Sequence, residues 1–264
     1  MTLVRFSSLG DVVLAGAIAK ALGDVTFLTQ PRYAELVERF EGVERVLTDT
    51  AQVDEPVIDL HNNLRSRRLR ATARVRHHRW ARWMQVAWKR PRSVPTVLER
   101  YGRAAGVQPA NAPWVPGWRP SAGRLGMAAG ASVSTKVWPY YDRLAQLWEG
   151  AVLSVGLPGE GVPGTDQVLE EGWPETLAAI GRCNLFVGGD TGLTHLAHAM
   201  GVPTLFLFGP TQPQDGFWRG PHLSQGLPCQ PCSRHGRSMC PLTDHACMAE
   251  LDTTTVLRSL RELT

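Results

Sequence analysis

The stretch Asn184–Gln212 holds residue types that could bind an anion. Leu185-Phe186-Val187 is an apolar run long enough only for a buried strand, and Gly188 and Gly189 break it. Asp190 or Thr191 then stands where a helix N-cap belongs, and Leu193, Leu196, Ala197 and Met200 recur at the helical period. A helix that opens with free backbone N–H groups and a polar cap beside two glycines suits a phosphate. His195, one turn after Thr191, points near the same helix end. Lys136 closes the polar turn 130–136 and offers a mobile point charge, a plausible phosphate clamp. Each feature has a plainer reading when taken singly: a capped helix with a surface histidine, and a solubilising lysine. Near the other end of the chain, Asp11 in Ser7-Ser8-Leu9-Gly10-Asp11 reads by itself as a helix N-cap.

A further set of residues suits a metal. Cys229-x2-Cys232-x7-Cys240-x6-Cys247 places four thiols in nineteen residues, with His222, His235 and His245 flanking them and Cys183 alone elsewhere. Thiolates in this number fit structural zinc or an iron–sulfur cluster, although the second pair is not spaced as in a standard ribbon. In a reducing compartment stable disulfides are not expected.

The elements that must position these groups alternate between strand and helix. Leu3–Phe6, Val25–Leu28, Val43–Leu47 and Val57–Leu60 read as strands, with helices over Val12–Leu22 and Pro31–Phe40 between them. A second run of the same kind begins with a strand at Leu125–Ala129. It continues through a helix from Pro139 to Trp148, a strand at Ala151–Val155 and a helix at Pro174–Gly181, and ends in strand–Gly turn–helix–strand over 185–208. The pattern is α/β, with parallel sheets and ligands gathered at the carboxyl ends of strands, where Ser8, Asp11 and Asn62 would lie. Four prolines and no periodicity between Gln108 and Ala122 mark a linker, which divides the chain into residues 1–115 and 123–264. The last helix, Thr253–Leu263, is amphipathic and is expected to pack back on the first half.

Composition narrows the class. Apolar residues make up 43% and charged residues 20% of 264, as in a globular protein with a sizeable core. Residues 1–6 are already strand-like and lack a signal-peptide h-region, so a cytoplasmic location is expected. The net charge is only +4, but twelve arginines and one lysine face a single acid, Glu99, between Arg65 and Arg103. The segment is predicted to hold an Arg-rich helix over Leu64–Val75, and it carries Trp80, Trp83 and Trp88. Such a block is either a solvated face or a surface for polyanions: anionic headgroups, phosphorylated substrates or nucleic acid.

With S-S-L-G-D at 7–11, D-L-H-N-N-L-R at 59–65, V-x-E-R-Y at 97–101, K-x-W at 136–138, D-T-G-L-T-H at 190–195, F-G-P-T at 208–211 and C-P-L-x-x-H at 240–245, the chain resembles glycosyltransferase family 9, the heptosyltransferases. The resemblance implies a GT-B fold, two Rossmann-like domains facing across a cleft. It implies an inverting transfer that needs no cofactor for catalysis. The donor would be a nucleotide-sugar, with ADP-heptose the expected one, and the acceptor a lipopolysaccharide-core saccharide or other glycolipid. Carried over by position, Asp11 becomes the base that deprotonates the acceptor hydroxyl. Ser8 and Gly10 lie beside it, and Lys136, with Thr135, offsets charge on the departing diphosphate. Asp190, Thr191, Gly192 and His195 form the donor-binding turn, and Glu160 is matched to the acid that holds the ribose. Gln212 stands where the family often has aspartate. The expected setting is the inner face of the membrane, with an anionic surface as partner and no nucleic acid. A non-catalytic nucleotide-sugar-binding protein and a nucleic-acid-binding protein are the rival readings.

Overall fold

Helix α1 (Leu9–Leu22) shows why this chain folds around its middle layers. Every residue from Val12 to Ala19 is buried, so the helix has no polar stripe and must be covered on all sides. A computed structural model of the chain, which describes residues 1–53, 56–89, 94–213 and 220–263, shows what covers it. One face lies on a parallel sheet of β1 (Thr2–Val4), β2 (Val25–Leu28), β3 (Val43–Leu47), β4 (Val57–Asp59) and β5 (Ala73–Arg74), in the order β3-β2-β1-β4-β5. Its other neighbours are α4 (Val97–Ala105) and, from the second half of the chain, α7 (Gly192–Ala199).

The second sheet is also parallel. It comprises β6 (Leu125–Ala128), β7 (Val152–Gly156), β8 (Asp166–Leu169), β9 (Leu185–Gly189), β10 (Thr204–Phe208) and β11 (His222–Ser224), in the order β11-β10-β9-β6-β7-β8. Both sheets are therefore doubly wound. Their strand order reverses beside β1 and β4 in one and between β6 and β9 in the other, and ligands of such sheets bind outside the carboxyl ends of strands at those points.

The proline-rich connection is not a loose tether. Trp114 and Val115 are buried, Trp114 donates its indole N–H to the Val13 carbonyl at 2.8 Å, and both backbone N–H groups bond the Ala199 carbonyl. One apolar core consequently runs from α1 through Trp114 into α7 and α6 (Trp173–Gly181). The ends of α1 and α7 approach so closely that a Cβ on Gly192 would lie 2.5 Å from the Leu9 Cγ, and one on Gly10 would lie 3.0 Å from the His195 ring. We expect Gly192→Ala to cost about 1–3 kcal/mol, since overpacking a tight contact forces a backbone shift. Thermal melts of Gly192→Ala and of Leu9→Ala/Gly192→Ala check this: the second substitution should restore most of the melting temperature.

Several expectations are corrected. The predicted helix over Leu64–Val75 is instead a 3-10 turn at Ser66–Arg68 followed by the edge strand β5. The Asn63 side chain accepts from Ser66 N–H at 2.9 Å and the Ser66 hydroxyl accepts from Asn63 N–H at 3.0 Å, a local pairing that competes with the helix. Arg70 and Arg74 would also have repelled one another at i,i+4. Pro31–Phe40 splits into a 3-10 turn, Pro31–Tyr33, and the short α2 (Ala34–Val37). The edge strands β8 and β11 were not legible. The last helix, α9 (Thr253–Arg261), packs on its own half and not on the first one: Val256 and Leu260 join Tyr141 and Leu144 of α5 (Tyr141–Leu147) and Met248 of α8 (Ala246–Ala249).

Candidate active site

A cavity of about 1180 Å³ opens between the halves at the carboxyl ends of both sheets. Its wall on the first half includes Ser8, Gly10 and Asp11, and its wall on the second includes Lys136, Glu160, Asp190, Thr191, Gly192 and His195. The N-terminal ends of α1 and α7 meet there, so two sets of free backbone N–H groups and two positive dipole ends face one space.

Asp11 sits in the first turn of α1, where strand β1 hands over to the helix. Its Oδ2 is 2.7 Å from the Arg5 guanidinium and accepts from the Ser8 hydroxyl at 3.0 Å, while Oδ1 accepts from the Tyr101 hydroxyl at 3.1 Å. Burial works to raise its pKa, but the Arg5 charge and the Ser8 and Tyr101 hydroxyls together hold it below the usual carboxylate range. The carboxylate is thus ionised and fixed in orientation. Sequence reasoning missed two of its partners, Arg5 and Tyr101. Arg5 also donates to the Leu60 carbonyl at 2.8 Å, and its only signal was a position at the carboxyl end of β1. Tyr101 lay inside the quoted V-x-E-R-Y segment. That segment begins with a capping box, Thr96 with Glu99, so the basic block's single acid serves to start α4 and to aim Arg100 and Tyr101.

Across the cavity, Asp190 is a hub. Its Oδ2 lies 2.8 Å from Lys136 Nζ and accepts from the Thr211 hydroxyl at 3.2 Å, and its Oδ1 is 3.2 Å from His195 Nε2. The Lys136 ammonium also donates to the Asp190 carbonyl at 3.0 Å. Burial opposes ionisation of Asp190, yet His195 and Lys136 hold its carboxyl well below the ordinary range. Lys136 and Asp190 come from the loops after β6 and β9, the two strands that flank the reversal of strand order. This geometry makes Asp190 a group that positions Lys136 and His195. A depressed folded pKa means that its contribution to stability is present above about pH 4 and is lost as pH falls through the folded value. We expect Asp190→Asn to cost about 3 kcal/mol, the order seen when one partner of a buried pair is removed, and to flatten the fall of melting temperature in acid. Melts between pH 3 and 8 on both proteins check it.

Glu160 lies over two glycines, Gly130 and Gly156, whose missing Cβ atoms leave it room, and it accepts from Leu157 N–H at 2.8 Å. Thr191 is the N-cap residue of α7, and its hydroxyl pairs with that of Thr194 at 3.0 Å. Thr135 does not line the cavity. Its buried hydroxyl donates to the Arg237 carbonyl at 2.6 Å and accepts from Arg237 N–H at 2.9 Å, which ties the Lys136 turn to the cysteine-bearing tail. Ser134 to the Ser238 carbonyl at 2.6 Å and His245 to the Thr135 carbonyl at 2.8 Å strengthen the same seam. Arg79, Arg82, Arg100, Arg234, His61 and His77 also face the cavity and were not singled out. Burial and the Arg5 charge bring the His61 pKa down to about 4. Neither His61 nor Asp11 therefore titrates between pH 5 and 8, so we expect neither to add an inflection to the rate profile across that range, and the rate to fall as acid protonates Asp11.

From the first half, α3 (Arg79–Trp88) reaches over to the second. Gln85 bonds Gln212, and Lys89 donates to the Cys229 and Pro231 carbonyls at 2.8 and 2.6 Å. Residues 90–93 of the basic block lie outside the described residues. The tail cysteines Cys229, Cys232, Cys240 and Cys247 are free thiols. Burial, then the neighbouring Cys232, Cys229 and Cys240, push the Cys247 thiol up to about 12, so the four lie within electrostatic reach of one another. Among the described residues, however, no group of three or more His, Cys, Asp or Glu side chains is arranged to hold a metal ion. No helix among them is long and apolar enough to cross a membrane.

Known proteins resemble this chain in sequence over part of its length and in fold over nearly all of it. Residues 173–240, which include α6, β9 and the Asp190 turn, match the model of glycosyltransferase family 9 (heptosyltransferase). Lipopolysaccharide heptosyltransferase 1 of Pseudomonas aeruginosa is 35% identical over 136 residues, which is 43% of this chain and 37% of that protein. Lipooligosaccharide heptosyltransferase 2 of Campylobacter jejuni is 31% identical over 88 residues, 32% of this chain and 27% of that protein. The matched stretches thus span well under half the length of these relatives. The solved structure of the E. coli ADP-heptose lipopolysaccharide heptosyltransferase II superposes with a TM-score of 0.67 at 16% identity, covering 99% of this chain and 98% of that one. Sequence over residues 173–240 and architecture over nearly the whole length therefore place this chain with glycosyltransferase family 9 in resemblance and with GT-B in fold.

Proposed function

We propose that the protein is an inverting glycosyltransferase that moves a heptose-type sugar from a nucleotide-sugar, ADP-heptose by preference, to a lipopolysaccharide-core or other envelope saccharide. One observation carries the reading. An ionised, fixed carboxylate from one half, Asp11, and a cation from the other, Lys136, line a single cavity of about 1180 Å³. Binding a nucleotide-sugar alone would not require the first of these.

In this mechanism the acceptor hydroxyl donates a hydrogen bond to Asp11 and attacks the anomeric carbon from the face opposite the diphosphate. As the new C–O bond forms, the bond to the diphosphate oxygen breaks and the hydroxyl proton passes to Asp11. A carboxylate of lowered pKa is a weak base for a neutral alcohol, so the proton moves late, once bond formation has made the hydroxyl acidic. The diphosphate leaves with its electron pair and gains negative charge beside Lys136 and the α7 N-terminus, preorganised positive groups that need little rearrangement. Developing positive charge on the sugar is favoured by the nearby Asp11 carboxylate. Glu160 is assigned to the nucleoside ribose, and Ser8 to orientation of Asp11.

The exposed indoles of α3, Trp80, Trp83 and Trp88, support a further part of the reading, a peripheral position on an anionic cytoplasmic membrane face. The zinc or iron–sulfur reading of the tail remains a proposal from spacing alone, checked by the metal content of purified protein. The function is tested by calorimetry with a panel of nucleotide-sugars, followed by nucleotide release with a truncated core acceptor. Binding without release would leave the non-catalytic reading in place.

A further inference from the structure

Beside the large cavity lies a smaller one of about 270 Å³, lined by Arg74, Arg76, His78, Arg100, Arg103 and Ala104. Four guanidinium groups and an imidazole converge there, and no acid lines it. Local structure explains the gathering. Arg74 ends the edge strand β5, Arg76 and His78 follow in the segment leading to α3, and Arg100 and Arg103 share one face of α4 at i,i+3. Arg74 is held by the Leu69 carbonyl at 2.7 Å and by the buried Asp59 at 3.5 Å; Arg100 is buried and donates to the Thr96 and His77 carbonyls at 3.3 and 3.2 Å. Arg76, His78 and Arg103 are exposed. Burial and the charges of Arg100, Arg76 and Arg103 lower the His78 pKa, which reflects how closely these cations gather.

Like charges around a concave space repel unless an anion fills it, and the planar donor fork of arginine matches phosphate oxygens. The volume is small for a nucleotide and sufficient for a phosphate group. We propose that this cavity is a phosphate-binding site for a phosphate monoester, distinct from the donor pocket. Arg100 lines both cavities, so a phosphorylated ligand held here lies next to the Asp11 side of the cleft. That continuity matters only under the transferase reading, whereas phosphate binding itself does not depend on it.

The test is a calorimetric titration of the full-length protein with inorganic phosphate at low salt, on wild type and on Arg76→Ala/Arg103→Ala. We expect the double variant to bind phosphate at least about tenfold more weakly, with ADP-heptose affinity unchanged. Arg76→Lys/Arg103→Lys, which keeps the charge and loses the fork, should recover part of the affinity, as a folding defect in the alanine variant would not predict. Equal phosphate affinity in wild type and the alanine variant, or no binding to wild type, overturns the proposal. Sedimentation with phosphatidic acid vesicles, against phosphatidylcholine alone, assigns the source. Retention lost in the alanine variant points to a lipid headgroup, and retention unchanged alongside weaker phosphate binding points to a soluble phosphorylated ligand. Failure to bind any nucleotide-sugar would overturn the proposed function and leave this result standing.

Discussion

Asp11→Asn should lose about 10²–10⁴-fold in transfer while nucleotide-sugar affinity stays within about twofold, because a positioned base acts in the transition state and not in donor binding. The substitution is nearly isosteric but has two separable consequences. It removes the proton acceptor, and it removes the negative partner of the buried Arg5, 2.7 Å away. The second effect would lower stability by about 1–3 kcal/mol. Melting temperature, donor affinity and turnover must therefore be measured on one preparation. Tyr101→Phe separates the two effects. It deletes one hydrogen bond to Oδ1 and leaves both the carboxylate and the Arg5 pair, so only a several-fold loss is expected. If Asp11→Asn weakened donor binding as much as turnover, Asp11 would be a structural partner of Arg5 and no base.

Lys136→Ala is expected to reduce turnover by about 10²–10³-fold, the scale for losing one preorganised charge at the site where negative charge develops. Donor affinity should fall as well, because the diphosphate is already charged before the bond breaks. The pairing with Asp190 adds a condition. In the structure Lys136 is partly neutralised by a carboxylate 2.8 Å away, so its field on the donor is weaker than that of a free ammonium. Asp190 in return holds the ammonium beside the turn that opens α7, through its carboxylate and its carbonyl. Calorimetry with ADP and with ADP-heptose, together with single-turnover rates, checks the assignment. Equal donor affinity in Lys136→Ala and wild type would remove Lys136 from the diphosphate site.

Much of the fold was legible because its signals are local. The apolar runs at Leu185–Val187 and Thr204–Phe208, the Gly188-Gly189 break and the helix ending before Gly201 all stand in the structure as strand, turn, helix and strand. The α1 helix was legible because its run of apolar residues left no exposed face. Strand order was not, since pairing β1 between β2 and β4, or β6 between β7 and β9, is decided by contacts across the whole chain. The same limit applied at the site. Asp11, Lys136 and Asp190 stood out within their own segments, but which groups fix them was only partly local: Tyr101 reaches Asp11, and Lys136 and Thr211 reach Asp190, from distant parts of the chain. Thr135 shows the opposite error. Adjacency to Lys136 suggested a shared role, yet its hydroxyl is engaged by the Arg237 backbone. The Arg-rich segment misled in the same way, because a side-chain turn at Asn63 and Ser66 outcompeted its helical composition.

In the proposed reaction the two halves act together on one sugar diphosphate. It is tested most directly by following ADP release and product formation when purified protein is mixed with ADP-heptose and a heptose-deficient core oligosaccharide. The expected result is one ADP and one glycosylated product per donor consumed, with inverted anomeric configuration, and the near-complete loss of both in Asp11→Asn. Transfer of undiminished rate by Asp11→Asn, or a product that retains the donor's configuration, would contradict it.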